Sequence, residues 1–354
     1  MLDNDERPDQ PSLPWRIAST TVMTLTGALS RAFLFGFNDV KTEGLDHFLE
    51  VLDKRRAGPP ERGLITVSNH ISVLDDPLMW GVLPLKYNSS PANSRWGLGA
   101  HDICFKNSFF TSFFSLGQVL PTYRMLHSAY GGLFQPTMSQ AIRILSDPGA
   151  VYPPKSNFRA GANEIFSSPA YYASNRNAWI HVFPEGCVHQ HPHRTLRYFK
   201  WGVARLILES DPAPQLVPIF IDGFQNLMPE DRPWPRFLPR VGANVRVIYG
   251  DAVDVDEAFA EQRSRWRQMV KKQEEAAGRP VAMGDIPEAL KRHREAMQLR
   301  IEVAKTVRDM VQKLRLRAGY PEDDPSYALA GTWEREPNKK KFTSPVDNSL
   351  VNEK

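Results

Sequence analysis

The chain has 354 residues, of which 42% are hydrophobic and 24% charged, proportions that are ordinary for a globular protein. This length allows one large domain with appendages, or two modest domains. Two cysteines are too few for a disulfide framework or a four-cysteine zinc site. The net charge of +4 suits a negatively charged partner, which could be an anionic membrane surface or nucleic acid.

The N-terminal region predicts a helix that associates with a membrane. The first residues are acidic and lack an apolar stretch, so we expect no cleavable signal there. Residues 13–37 are apolar, with charges only at two arginines, and the uncharged run 17–30 is shorter than the roughly 20 residues of a spanning helix. The pattern favours an amphipathic or half-inserted helix with Trp15 and Phe33 in contact with lipid. An ordinary core helix is the alternative.

Segments typical of strands and helices then alternate along the chain. Apolar, β-rich runs predict strands at 63–68, 178–183, 216–221 and 245–249. Periodic segments predict helices at 76–83, 135–146 and 196–209. This alternation predicts an α/β fold in which helices pack on a sheet. Residues 150–177 are predicted to form an irregular insertion.

A cluster of phenylalanines lies between the predicted strands at 63–68 and 178–183. Five of them fall between Phe105 and Phe114, a density that exceeds what a surface helix usually carries. They form either a core cluster or a surface that dips into acyl chains. In the second interpretation Phe109, Phe110 and Phe113 contact the membrane.

The C-terminal third predicts a helical extension followed by a tail. Residues 257–277 and 287–317 are charged helical segments, and their basic residues form either a solvated face or a stripe attracted to anionic lipid. Those residues are Arg263, Arg265, Arg267, Lys271, Lys272, Lys291, Arg292, Arg294, Lys313, Arg315 and Arg317. The polar composition beyond Tyr320 predicts disorder. The expected organisation is a tail and membrane helix at 1–40, a catalytic domain at 41–255, helices at 256–320 and a disordered tail at 321–354.

The residues that point most directly to chemistry are His70 and Asp75. His70 follows a predicted strand, and Asp75 comes five positions later, where a helix begins. If the chain turns here, Asp75 accepts the Nδ1 proton of His70, and Nε2 can then take a proton from an alcohol. Acyl transfer to a hydroxyl needs such a base, and the carboxylate also stabilises the imidazolium. The alternative is that Asp75 only caps the helix beside a satisfied histidine.

Four motifs in order resemble those of the glycerolipid acyltransferases. The Asn-His-x4-Asp pattern ending at Asp75 resembles the family's first motif, and a Gly-Gln-Val-Leu-Pro-Thr-Tyr-Arg run, with Arg124 one position late, resembles the second. The third and fourth are matched by Phe183-Pro184-Glu185-Gly186 and by Leu-Val-Pro-Ile at 216–219. The resemblance implies the family's mixed twisted sheet and an acceptor-binding role for the third motif. Donors near Gly186 or Arg124 would stabilise the oxyanion.

Within this family the chain is similar to phospholipid–lysophospholipid transacylases. Asp75-Asp76-Pro77 followed by Trp80-Gly81, together with the stretch 196–209, carries this resemblance, which covers roughly residues 13–255. It implies CoA-independent remodelling of cardiolipin, with phosphatidylcholine and monolysocardiolipin as lipid partners and neither cofactor nor metal. It also implies peripheral or monotopic attachment to the outer and inner mitochondrial membranes, facing the intermembrane space.

Val188 bears on the choice of acceptor. Many glycerol-phosphate enzymes of the family have an arginine at this position, where it can hold a phosphate monoester by two parallel hydrogen bonds. Its absence here argues against glycerol 3-phosphate, unless Arg124 or Arg194 substitutes. Two minor possibilities concern neighbouring residues: an acyl-carrying thiol at Cys187, for which a buried filler is the favoured alternative, and a disfavoured metal site at His189, His191 and His193.

Two other functions remain as alternatives to transacylation. One is an acyl-CoA-dependent lysophospholipid acyltransferase, and the other is a non-catalytic membrane lipid-binding or scaffold protein. Nucleic-acid binding is not expected, because the basic residues are not interleaved with aromatic stacking platforms.

Overall fold

The computed structural model describes residues 13–90, 93–125, 127–146 and 177–334, together with the backbone of Asn157–Ala160 and Glu164–Ser167. Those two segments form a small antiparallel hairpin. The remainder of the predicted insertion at 150–177, the acidic N-terminal residues and the chain beyond 334 lie outside the described residues.

The described residues contain strands and helices in alternation. The strands are β1 (Asp39–Glu43), β2 (Leu64–Ser68), β3 (Arg95–Ala100), β4 (Val119–Thr122), β5 (Asn157–Ala160), β6 (Glu164–Ser167), β7 (Trp179–Val182), β8 (Gln215–Asp222), β9 (Asn244–Tyr249) and β10 (Val253–Asp254). The helices are α1 (Leu13–Phe37), α2 (Leu45–Ala57), α3 (Asp75–Met79), α4 (Leu85–Asn88), α5 (His101–Cys104), α6 (Ser108–Leu116), α7 (Pro136–Leu145), α8 (Gly202–Glu209), α9 (Phe224–Leu227), α10 (Val255–Ala258), α11 (Ala260–Ala277), α12 (Glu288–Lys291), α13 (Arg294–Arg317) and α14 (Ala330–Glu334). Short 3₁₀ turns cover Trp80–Val82 and Pro325–Ala328.

The main sheet has the strand order β1-β9-β8-β2-β7-β3-β4, and β10 pairs with β8. β2 is parallel to both β7 and β8, and β3 is parallel to β7 and β4, whereas β9 runs antiparallel to β8. The carboxyl ends of β2, β3, β4, β7 and β8 therefore meet at one edge, where α/β proteins generally bind their ligands. We call this the site edge. The predicted mixed sheet flanked by helices is confirmed.

Helices cover both faces of the sheet because the central strands are apolar on both sides. In β2, Ile65 packs into the core beneath α7, α8 and α13, while its neighbour Leu64 packs into the core on the opposite face. β8 repeats this alternation with Leu216 and Val217. Such side-to-side alternation is the period of a strand, and burial on both faces explains why these runs are continuously hydrophobic.

The N-terminal helix occupies the predicted range, Leu13–Phe37, and packs against α3, α4, α6 and the turn at Trp80–Val82. The Arg31 guanidinium donates to the carbonyl oxygens of Gly81 and Val82 at 3.3 and 3.1 Å. Within the described residues, no helix is both long enough and apolar enough to span a membrane.

The predicted helix at 196–209 begins only at Gly202. The preceding residues are not helical, because their amides donate outside any helix: Arg197 N to Glu185 Oε2 at 3.3 Å and Lys200 N to the Pro184 carbonyl at 2.8 Å. The helical periodicity of the sequence does not indicate these tertiary partners. The two hydrogen bonds attach the non-helical residues 196–201 to the third motif.

Two of the basic residues in the C-terminal helices are neither solvated nor available to lipid. Arg263 and Arg315 are almost completely buried. Arg263 donates to the carbonyl oxygens of Ile207 and Ser210, and Arg315 donates to those of His193 and Arg194. For these two residues both interpretations of the basic cluster are wrong. Arginine can fill this role because its five N–H donors satisfy several carbonyls at once.

Residues 321–334 are folded, although the sequence analysis placed them in a disordered tail. They form a 3₁₀ turn and α14, and the Trp333 side chain is buried. The Arg197 guanidinium lies 4.4 Å from the Trp333 ring centroid, and the His189 ring packs edge-on against the same ring at 5.1 Å. The buried Trp333 side chain thus anchors this segment, although the composition of the segment as a whole is polar.

Candidate active site

His70 and Asp75 lie together at the site edge, immediately after β2. His70 Nδ1 is 2.9 Å from Asp75 Oδ2, and the histidine side chain remains 22% exposed while the aspartate is completely buried. The same carboxylate oxygen accepts the backbone amides of Ile71 and Ser72 at 2.6 and 2.8 Å. A turn with three donors on one oxygen fixes the carboxylate, and the carboxylate in turn orients the imidazole. This arrangement leaves Nε2 as the ring nitrogen available to a substrate.

The electrostatics of Asp75 follow from its position. Burial raises the pKa of the Asp75 carboxyl above its usual value, and the His70 imidazole and the two amides counteract this rise. The Asp75 carboxyl has been removed from water, so its charged form depends on these partners.

The second aspartate of the pair has a different partner. Asp76 Oδ2 accepts from Arg95 Nη2 at 2.8 Å, and Asp76 Oδ1 accepts from Trp80 Nε1 at 3.2 Å. Burial is the largest effect on the pKa of Asp76 and raises it, but the Arg95 charge and the remaining partners, which include the hydrogen bonds from Trp80 and Arg95, together outweigh burial and the net pKa is lowered. Asp76 therefore joins α3 to β3 through Arg95.

The imidazole of His70 stacks on Phe183, the first residue of the third motif. Their ring centroids are 4.4 Å apart, with planes inclined by 25°. Beneath Phe183 lies His181, a buried residue that the sequence analysis overlooked; its Nδ1 is 2.8 Å from Thr66 Oγ1. Burial lowers the pKa of His181 to about 3, so this histidine stays neutral and supports the packing without titrating near neutral pH. Pro184 follows in the motif, and its carbonyl accepts from Lys200 N.

Glu185 joins the catalytic turn to the segment before α8. Its Oε1 accepts the backbone amide of His70 at 3.1 Å, and its Oε2 accepts that of Arg197 at 3.3 Å. Burial raises the pKa of Glu185 to about 7, and the two backbone hydrogen bonds moderate the rise. Glu185, for which the sequence predicts a role in acceptor binding, is thus buried, and its two carboxylate oxygens hold the backbone of His70 and of Arg197.

Arg124 follows β4 at the same edge of the sheet but belongs to a separate ion pair. Its Nε donates to Asp102 Oδ1 at 3.1 Å, and its Nη2 donates to Asp102 Oδ2. Burial acts to raise the pKa of Asp102, and the Arg124 hydrogen bond and charge lower it below its usual value. An oxyanion role for Arg124 therefore requires the guanidinium to serve Asp102 and substrate together.

Gly186 adopts a left-handed conformation with φ of 67°, which favours glycine. A Cβ at this position would lie 2.8 Å from Lys200 Nζ, so the lysine side chain passes directly over the glycine. Within the part of the chain that the structure describes, Lys200 Nζ makes no ion pair. Lys200 thus lies beside the third motif, whose last residue, Gly186, is two positions before Val188. The sequence signal was a lysine just before Trp201-Gly202, but nothing in it indicated contact with Gly186.

Arg194, Cys187 and His189, which the sequence also offered as candidate site residues, all have contacts within the protein. Arg194 Nε pairs with Asp222 Oδ1 at 3.2 Å. Cys187 is buried, and its thiol lies 3.8 Å from the Glu185 carbonyl oxygen. His189 is buried against Trp333, and burial holds its pKa well below the usual value.

The residues predicted to contact the membrane divide into two groups. Phe109 and Phe113 on α6 are 72% and 41% exposed, and Phe110 is partly buried. Trp15 and Phe33 on α1 are also partly buried and pack against the core. The exposed large apolar residues of α1 are Leu13, Ile17, Leu25, Leu29, Phe35 and Phe37.

Comparison with known proteins assigns the family. A family model described as Acyltransferase matches residues 40–222, a range that contains His70, Asp75, Arg124 and the third motif. Tafazzin of Saccharomyces cerevisiae is 36% identical over 333 residues, which cover 91% of this chain and 84% of that protein. The chain belongs to the tafazzin branch of the acyltransferases. The prediction of a glycerolipid acyltransferase is therefore confirmed, including its resemblance to the transacylase subgroup.

Other relatives agree with this assignment. A protein named taffazin from Dictyostelium discoideum is 34% identical, and N-acylphosphatidylethanolamine synthase of Arabidopsis thaliana is 31% identical, each over 68% of this chain and 72% of its own. The crystal structure of the 1-acyl-sn-glycerophosphate acyltransferase from Thermotoga maritima aligns with a TM-score of 0.41 and 18% identity, over 74% of this chain and 81% of that one. The family assignment of this tafazzin-branch chain accordingly rests on its sequence relatives.

Proposed function

We propose that this acyltransferase moves fatty acyl chains from a phospholipid to a lysophospholipid without CoA, with His70 as the general base. The single observation that carries the proposal is the 2.9 Å contact between His70 Nδ1 and Asp75 Oδ2. It occurs on a turn where two amides hold the carboxylate, in a chain of this family.

In the proposed reaction, His70 Nε2 removes the proton from the hydroxyl of a lysophospholipid. The resulting oxygen attacks an ester carbonyl of a second phospholipid, and Asp75 stabilises the imidazolium that forms. The tetrahedral intermediate collapses, the leaving lysophospholipid oxygen takes the proton back from His70, and a new ester replaces the old one. One ester is exchanged for another, so the reaction needs neither ATP nor a redox group.

Lys200 is proposed to hold a lipid phosphate during this reaction. Its ammonium group lies over Gly186, the last residue of the motif whose first residue, Phe183, stacks on the His70 imidazole. A phosphodiester carries one negative charge and suits a point-like ammonium partner, whereas a phosphate monoester is better held by the planar arginine fork that Val188 replaces. This difference favours lysophospholipids such as monolysocardiolipin over glycerol 3-phosphate.

The proposed location is a mitochondrial membrane surface that faces the intermembrane space. Its support is the similarity to proteins named tafazzin and the exposed apolar side chains of α1 and α6. In this arrangement Phe109 and Phe113 enter the headgroup region, and phospholipids such as phosphatidylcholine and monolysocardiolipin reach His70 laterally from the same leaflet.

The test is lipid mass spectrometry after incubation of purified protein with vesicles of phosphatidylcholine and monolysocardiolipin, with and without acyl-CoA. We expect acyl exchange without CoA, its abolition in His70→Ala, and a decrease of about 10³- to 10⁴-fold in Asp75→Asn, by analogy with serine-protease triads. His47→Ala is the matched control, because that histidine is exposed and its partner is Asp251.

Each alternative function has its own outcome in this assay. Turnover only with acyl-CoA would replace transacylation by the CoA-dependent reaction. Lipid binding without any turnover in the unsubstituted protein would favour a scaffold. Full activity of His70→Ala would refute the proposed base.

A further inference from the structure

The loop that joins α9 to β9, residues 228–243, exposes an unusual set of large apolar side chains. Trp234 and Phe237 are 85% and 77% exposed, and Leu238 and Val241 are also exposed. We call this segment the Trp234 loop. The short α9 follows the carboxyl end of β8, and β9 runs antiparallel to β8, so the loop between α9 and β9 lies at the site edge with His70.

Hydrogen bonds within the loop hold it in the conformation that exposes these side chains. Arg232 is buried inside it and donates to the carbonyl oxygens of Pro229 and Arg236 at 2.8 and 2.5 Å. Arg236 Nη2 donates back to the Glu230 carbonyl at 3.1 Å. The Arg232 side chain therefore occupies the interior of the loop and Arg236 is partly buried, whereas Trp234 and Phe237 are exposed. Monomeric soluble proteins rarely expose such a cluster without a use for it.

A single glutamine connects this loop to the catalytic turn. Gln190 Nε2 donates to the carbonyl oxygens of Ile71 and Met228 at 2.8 and 3.0 Å, and its Oε1 accepts the Glu230 amide at 3.0 Å. Ile71 directly follows His70. The position of the loop is therefore coupled to the backbone that carries the base.

The other end of the loop joins the C-terminal end of α1. Gly242 N donates to the Phe37 carbonyl at 2.8 Å, and Ala243 N donates to Asn38 Oδ1 at 3.0 Å. Phe37 is 62% exposed, and Val241, which directly precedes Gly242, is 61% exposed. The C-terminal end of α1 and the Trp234 loop are thus joined, and we call their exposed apolar residues, with the exposed Arg240 of the same loop, the apolar rim.

We infer that the Trp234 loop is a second membrane-docking element, which inserts its aromatic side chains into the headgroup region of an anionic phospholipid bilayer beside His70. Tryptophan and arginine together are typical of that interface, because the indole ring is amphipathic and the guanidinium pairs with lipid phosphate. With α1 it fixes the site edge against the leaflet, so the lipid acceptor reaches the base without crossing water. The inference rests on the phospholipid substrates of the proposed function, but its test measures binding and not turnover.

The first experiment is co-sedimentation of the full chain with phosphatidylcholine vesicles, with and without cardiolipin. We expect the Trp234→Ser/Phe237→Ser variant to partition at least about tenfold more weakly, since the apolar area that it removes would otherwise be buried in lipid. The matched control is Ile301→Ser/Leu329→Ser, which removes two exposed apolar residues outside the rim and should leave binding unchanged. Arg240→Gln should weaken binding to cardiolipin vesicles more than binding to phosphatidylcholine alone.

The second experiment detects lipid contact directly. An environment-sensitive fluorophore on Leu238→Cys should shift to shorter wavelength when vesicles are added, and the same probe on Ile301→Cys should not; labelled protein with only Cys104 and Cys187 gives the background. Unchanged partitioning of the double variant, or no spectral shift at 238, would overturn the inference. A concentration-dependent dimer that the double variant loses, with vesicle binding intact, would overturn it in favour of a contact between two copies.

Failure of the proposed function would look different. Turnover of short-chain lipids dispersed as monomers should be equal in the unsubstituted protein and the double variant, which also shows that the variant is folded. If neither protein turns over lipid but the partitioning difference remains, the docking element stands and the catalytic proposal fails.

Discussion

At the scale of single residues, the two adjacent aspartates differ because of what each can reach. Asp75 begins α3, and its Oδ2 receives the Ile71 and Ser72 amides together with the His70 imidazole. Asp76 points to the other side, toward Arg95. Neither aspartate can take over the contacts of the other without a change in the turn. We therefore expect substitution of Asp75 to reduce catalytic activity and substitution of Asp76 to weaken the packing of α3 on β3.

Lys200 gives a prediction about substrate recognition. Replacement by methionine keeps most of the side-chain volume but removes the charge over Gly186, so we expect kcat/KM for lipid exchange to fall by about 10- to 100-fold, the worth of one hydrogen bond to a charged group. Lys200→Arg should retain a substantial part of the activity. Lys272→Met, on the exposed face of α11, is the control. Equal kinetics for Lys200→Met and the control would remove Lys200 from the site.

Glu185 gives a prediction about pH. Its pKa is about 7 in the folded protein and 4.5 as the ordinary value, so the folded state holds a proton that the unfolded chain has released between these values. The contribution of Glu185 to stability is therefore complete below about pH 4.5 and is lost as the pH rises through about 7.

Glu185→Gln has no such titration. The free energy of unfolding of the variant relative to the unsubstituted protein should shift in the variant's favour by about 3 kcal/mol between pH 5 and pH 8. Urea unfolding of both proteins at the two pH values measures this shift. A difference that does not change with pH would mean that Glu185 stays ionised throughout.

At the scale of elements, α1 has the composition that predicts a membrane-associated helix, and its contacts make it an integral part of the fold. It crosses the turn at Trp80–Val82, where Gly81 permits close approach: a Cβ there would lie 2.7 Å from the Ser30 carbonyl carbon and 2.8 Å from Arg31 N. Arg31 then donates to the carbonyls of this turn. The contacts of α1 therefore include both α3, which carries Asp75, and the turn that follows it.

Gly81→Ala should disturb this crossing. Because the added methyl group meets backbone and not a mobile side chain, we expect a loss of about 1–3 kcal/mol in the free energy of unfolding. Gly58→Ala is the control, since that glycine has an extended φ of −169° and open space around it. Thermal unfolding of both variants measures the difference; equal midpoints would show that α1 does not pack closely here.

At the scale of the whole molecule, the C-terminal helices hold the segment that precedes α8. Arg308 on α13 donates to the carbonyl oxygens of Leu196 and Arg197, and Arg315 donates to those of His193 and Arg194. Asp323 lies between the two guanidinium groups, at 3.2 Å from Arg308 and 3.0 Å from Arg315. Because Arg197 N also donates to Glu185, this network extends from the C-terminal helices to the backbone of His70.

Asp323→Ala should leave two buried arginines without their anion. We expect a loss of about 3–5 kcal/mol in the free energy of unfolding, because uncompensated buried charge is costly. Asp309→Ala removes a surface pair with Lys305 on the same helix and should cost less than about 1 kcal/mol. Urea unfolding compares the two, and equal losses would show that the buried cluster contributes no more than a surface pair.

The sequence by itself determined the fold class, the family and the pairing of His70 with Asp75. These depend on local order: two-sided apolar runs make buried strands, and a histidine and an aspartate five positions apart can meet where the chain turns between a strand and a helix. The same local reasoning predicted α1 within its observed bounds. It was wrong where the partner lies far along the chain, as in the non-helical start of 196–209, the buried arginines of the C-terminal helices and the folded residues 321–334.

Tertiary structure alone decided the environment of the site. The burial of Glu185, the position of Lys200 over Gly186 and the coupling of the Trp234 loop to Ile71 through Gln190 all join segments that are remote in sequence. Spacing along a chain fixes which side chains share one turn or one face. Which segments meet across the sheet is set by strand order and by the partners that unsatisfied backbone groups find, and both emerge only when the chain has folded.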